Sequence, residues 1–107
     1  MNSPIDLFAT APYQPGKMGK STAFQSERVL VGLNAFEPGQ EHASHAHAGA
    51  DKVYVVLEGN GLFTLGDAEH RLRAGQCLAA PAGVPHGVRN DGGERLLVLA
   101  VIAPAPK

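Results

Sequence analysis

The sequence predicts an all-β domain, an antiparallel sandwich or barrel of eight or nine short strands. Three observations carry that expectation. The chain has 107 residues, enough for one compact core and too few for two. Its 13 glycines and 8 prolines fall singly between apolar runs, so no long helix can form. The runs themselves are short and rich in β-branched and aromatic residues, with turn residues at close intervals. At 44% hydrophobic residues the chain can bury a core, which excludes a disordered segment.

Each element follows from that punctuation. Residues 1–26 read as an arm, because Pro4, Pro12, Pro15, Gly16 and Gly19 leave room for one short strand at most. A barrel is expected over 27–104. Val29, Val31, Leu33 and Ala35 share one parity on a strand that Pro38 and Gly39 end. Beyond the histidine-rich stretch 42–47, the run from Lys52 through Val53, Tyr54, Val55 and Val56 to Leu57 is a strand too short for a helix. Gly59-Asn60-Gly61 turns into Leu62–Leu65, Gly66-Asp67 into Glu69–Arg73, and Ala74-Gly75 into Gln76–Ala80. Pro81 to Pro85 precede His86–Asn90, and Asp91-Gly92-Gly93 turns into the longest apolar run, Glu94–Ala103.

Composition excludes several functions. A net charge of -1 offers no basic surface for phosphate contacts, so nucleic acid is not an expected partner. There is no apolar run of about 18 residues, and the first residues lack a signal peptide's basic and apolar regions. The expectation is a cytoplasmic protein without a membrane partner. Cys77, the single cysteine, rules out an internal disulfide and is expected as a small buried hydrophobe. Gly19-Lys20-Ser21 lacks the leading glycine of a phosphate-binding loop, since that position is Gln14, and no Gly-x-Ser-x-Gly elbow occurs.

The histidines carry the chemistry. His42, His45 and His47 fall within six residues. Two apart on a strand, His45 and His47 present their imidazoles on one face roughly 6 to 7 Å apart, from where two nitrogens converge on one cation. His42 has the opposite parity and is expected at the surface. His86 follows Gly83-Val84-Pro85, and a barrel that sets its strand beside the first gives three imidazoles facing one cavity.

On these residues the chain resembles the cupins. The first cupin signature, a glycine, five residues, His-x-His, a glutamate after three or four more and a glycine after a further six, is met by Gly39, His45, His47 and Gly59. The second is met throughout by Gly75, Pro81, Gly83, His86 and Asn90. The resemblance spans about residues 29 to 103. It implies a double-stranded β-helix, or jelly roll, holding a divalent metal (iron, manganese, nickel or zinc) on His45, His47 and His86. It also implies a homodimer, a small-molecule ligand, and oxygen chemistry of the dioxygenase kind.

One departure from the pattern matters. Counting back six residues from Gly59 places the family's metal-binding glutamate at Lys52, with Asp51 one step away. A one-residue slip reverses the face of a strand whereas a loop absorbs it, so Lys52 is expected inward with Tyr54 and Val56. Val53, Val55 and Leu57 then point outward and need a cover, either the arm or a partner subunit. An ammonium beside three imidazoles repels a divalent cation unless it turns away or loses its proton. Two readings follow. One is a three-histidine metalloenzyme with Tyr54 or Lys52 as the polar catalytic group; the other is a metal-free sugar- or small-acid-binding module in which Lys52 supplies the charge. An isomerase with Lys52 as base is a third reading, which requires burial to lower the lysine pKa.

Overall fold

A computed structural model describes residues 3–106, and among these it contains nine strands and no helix. They are β1 (Gly19–Gln25), β2 (Leu30–Phe36), β3 (Glu41–His45), β4 (Asp51–Glu58), β5 (Asn60–Leu65), β6 (Ala68–Arg73), β7 (Cys77–Ala80), β8 (His86–Arg89) and β9 (Leu96–Ala103). All pairings are antiparallel. A five-stranded sheet in the order β1-β2-β9-β4-β7 faces a four-stranded sheet in the order β3-β8-β5-β6. This is the jelly roll.

Alternation decides what lies between the sheets. Along β4 the residues Lys52, Tyr54 and Val56 are buried while Val53, Val55 and Leu57 are only half-buried, so the register counted from Gly59 holds. β9 buries Leu96 and Val98 beside them, and the other sheet contributes Phe63, Leu72 and Val88 to one cluster with Phe36. Full burial of each such side chain stabilises by roughly 1.5–3 kcal/mol, so this cluster dominates the fold's stability.

The outer face of the larger sheet is covered at one end by the arm. Asp6 accepts hydrogen bonds from the Phe8 and Ala9 amides, both at 3.0 Å, which closes a turn. Leu7, Ala11 and Tyr13 then pack on Leu33, Ala35 and Leu97, with Leu57 and Leu99 at the margin. Arg95 lies 4.4 Å from the Tyr13 ring centre and pairs with Glu37 at 2.9 Å, clamping the arm. Cys77 departs from expectation. It is exposed, because β7 ends the sheet and pairing with Val55 turns Cys77 to the outer face.

Candidate metal centre

Two strands of the smaller sheet bring the histidines together. His45 ends β3 and pairs across the ladder with His86, the first residue of β8, while His47 follows in the loop. Between His42 and His45 the register shifts: His42 pairs with Val88 and His45 with His86, so three steps on β3 match two on β8. That extra residue is a β-bulge, and it reverses the parity of everything beyond it. His42 therefore lies on the same face as His45 and is half-buried, with ring centres 4.3 Å apart, instead of standing at the surface as strict alternation predicts. The bulge needs a neighbour without a side chain. A Cβ on Gly87 would come within 3.0 Å of the His42 carbonyl oxygen and the Ser44 amide.

The loop before His86 is held from three sides. The Gly83 amide donates to the His47 carbonyl at 2.9 Å, which ties the two histidine-bearing segments directly, and its φ of +82° is one that glycine adopts without strain. The Ala82 amide donates to the Asp51 carboxylate at 2.8 Å, and the Gly66 amide to the Pro85 carbonyl at 2.8 Å. Asp51 is thus exposed and fastens the loop from outside the histidine cluster. At the far end Asn90 is fully buried, donating to the Phe36 and Glu94 carbonyls at 3.1 and 2.7 Å.

The result is a cluster fit for a cation. One nitrogen from each of His45, His47 and His86 lies within 4.8 Å of the others. Ring centres are 4.4 Å apart for His45 and His86, 5.0 Å for His45 and His47, and 5.4 Å for His47 and His86. Nδ1 of His45 meets the Ala43 carbonyl and Nδ1 of His86 the Val84 carbonyl, both at 2.9 Å. A carbonyl only accepts, so each Nδ1 carries the proton and each Nε2 keeps its lone pair. On His86, 1% exposed, that Nε2 is buried with no partner. A metal would satisfy it. Burial, then the charge of Lys52, holds the His47 pKa below its ordinary value; burial also lowers that of His86, against the Val84 carbonyl. Neutral imidazoles are what a metal requires.

The facing wall differs. Lys52 is 3% exposed, and its Nζ sits 4.8 Å from the centre of the Tyr54 ring. Burial, reinforced by Lys20, lowers its pKa to about 8. Tyr54 is fully buried, its ring centre 5.8 Å from that of His86, and its hydroxyl has no partner. Burial alone pushes that phenol up, so it stays protonated. Sequence reasoning passed over Asn34, a buried residue whose Nδ2 is also without a partner. Its only sequence mark is polarity within an apolar strand.

Comparison with known proteins agrees with this fold. A family model described as Cupin domain matches residues 32–102. The chain belongs to the cupin family. This cupin is 48% identical to protein TT1209 of Thermus thermophilus, whose crystal structure superposes with a TM-score of 0.93 over 96% of this chain and 98% of that one. A protein of Klebsiella pneumoniae with a double-stranded β-helix domain is 26% identical, with a TM-score of 0.91 over 97% of this chain and 91% of its own. By sequence, the oxalate-binding protein of Thermotoga maritima is 32% identical over 80 residues, 75% of this chain and 66% of the relative. Against other curated relatives the cupin spans about half their length, 53% and 44% in two of them.

Proposed function

We propose that this cupin binds one divalent cation through His45, His47 and His86 and acts on a small molecule beside it. The observation that carries the reading is the His86 imidazole, fixed through Nδ1 by the Val84 carbonyl, with its Nε2 lone pair buried, unpartnered and facing two more imidazoles. Iron, manganese, nickel or zinc bound there would supply Lewis-acid or oxygen chemistry at positions the three nitrogens leave open. The rest belongs to the chain. The Ala43 and Val84 carbonyls hold two rings in one tautomer, Phe63 and Tyr54 keep water from the cavity floor, and Lys52 and Tyr54 offer N–H and O–H donors to a substrate. A dioxygenase-type reaction suits an all-nitrogen ligand set. An isomerase, with Lys52 taking the proton, is favoured by the burial of that lysine without an ion pair, which lowers its pKa.

The reading extends to assembly and location. Phe24 is 41% exposed and pairs with Val31 on the outer sheet face, next to Val101 and Val53, beyond the reach of the arm. A second copy would cover this strip, giving a homodimer. An exposed free thiol at Cys77 suits a reducing compartment such as the cytoplasm. No helix of the described residues is long and apolar enough to cross a membrane.

Cobalt(II) titration of chelator-treated protein without a histidine tag tests the metal site. One equivalent should bind with visible absorption and should dissociate as the pH falls below about 6, where imidazoles protonate. Absence of saturable binding at neutral pH would refute the reading.

A further inference from the structure

Lys52 poses a problem of charge. It is the one charged side chain among the buried residues apart from the histidine cluster, no aspartate or glutamate is buried with it, and neither ion pair of the described residues includes it. An ammonium taken out of water without a counter-charge is costly. Beside it on β4 the Tyr54 hydroxyl is buried without a partner, and farther along the same inner face the Asn34 amide is too. Strand register also shows where the side chains are small. Tyr54 pairs with Ala100, Ala100 with Gly32 and Gly32 with Thr22, so beside the tyrosine the inner face of the larger sheet carries two very small residues in succession. Lys20, exposed on β1 and paired with Asn34, adds positive charge at the rim.

We infer that the cavity takes a compact organic carboxylate, its oxygens held by the Lys52 ammonium and the Tyr54 hydroxyl against the histidine cluster. This deepens the reading above and rests on it for the cluster's role, while the anion-binding wall belongs to Lys52 and Tyr54 themselves. An ammonium and a phenol with unpaired protons favour a ligand rich in acceptors, and the buried ammonium favours a negative one. Two donors on one strand suit a planar, two-oxygen carboxylate. A phosphate would leave oxygens without donors in a closed site.

The test is calorimetry with pyruvate, its neutral amide pyruvamide and inorganic phosphate, on full-length protein both metal-free and cobalt-loaded. Wild-type protein should bind pyruvate about ten-fold or more tightly than pyruvamide in both forms, the ratio expected of a charge-assisted contact. Lys52→Met should erase that preference while retaining the fold by circular dichroism and one cobalt per chain, and Lys52→Arg should retain it. Tyr54→Phe should weaken pyruvate a few-fold with little effect on the amide. The inference is overturned if wild-type protein binds no pyruvate, does not distinguish it from pyruvamide, or binds phosphate as tightly, or if Lys52→Met keeps the preference. Failure of cobalt to bind while the preference persists would refute the metal reading and leave this one standing.

Discussion

Three imidazoles form one wall of the site, carried by β3, the loop after it and β8, whereas the facing strand β4 presents an ammonium and a phenol. The first wall offers lone pairs and the second offers protons. The walls are also held differently. The histidine wall depends on loops, pinned by Asp51, Gly66 and the amide of Gly83, while the donor wall is the middle of a sheet flanked on both sides by β7 and β9. In the proposed reading, this division places a cation on one side and an anion on the other without either wall changing its charge. In that reading, lysine at the position the resemblance gives to a glutamate changes the ligand preference of one wall alone.

The comparison breaks most completely at His86. Replacing it with alanine should lower cobalt affinity by at least about 100-fold, since a buried ligand is lost and not merely its outer support. The donor wall should be untouched, so the preference for pyruvate over pyruvamide in metal-free protein should survive. Loss of both would mean that the walls are not independent.

A smaller effect is expected at Gly87. The added methyl of Gly87→Ala would press on the backbone of the bulge at His42 and Ser44, costing about 1–2 kcal/mol and lowering the melting temperature by several degrees. Cobalt should bind more weakly in proportion to the displaced His45. An unchanged melting curve would show that the bulge yields freely.

Lys52 sharpens the comparison through pH. Its pKa is near 8 in the folded protein against an ordinary 10.5, so between these values the unfolded chain binds more protons and stability rises with pH. Below pH 8 the burial cost is fully present, and above 10.5 it is gone. The groups facing Lys52 are Lys20 from β1, the Tyr54 ring on its own strand, and His42, His47 and His86 from the histidine cluster. Denaturation of the metal-free protein should show a gain of up to about 3 kcal/mol across this window, absent in Lys52→Met. Parallel profiles for the two proteins would place the ammonium in water.

Much of the fold was legible because its information is local. Glycines at the turns, parity along β4 and the spacing of the second signature each sit within a few residues, and the structure gives Gly39, Gly59, Gly75 and Gly83 the positive φ that such corners require. What escaped was set by partners distant in the chain. The orientation of His42 depends on a bulge allowed by Gly87, the exposure of Cys77 on the place of β7 in the sheet, and the task of Asp51 on an amide 31 residues away. Asn34 gave no motif at all; its buried, unpartnered amide shows only once β2 is paired with β9 and the residue is placed on the inner face with Gly32.

The central claim, that one wall holds a metal, is tested most directly by the metal content of protein purified at neutral pH without a histidine tag or added metal. Elemental analysis should find about one divalent transition metal per chain in the wild-type protein and almost none in His86→Ala. A wild-type protein without stoichiometric metal, or an alanine variant that retains it, would contradict the account.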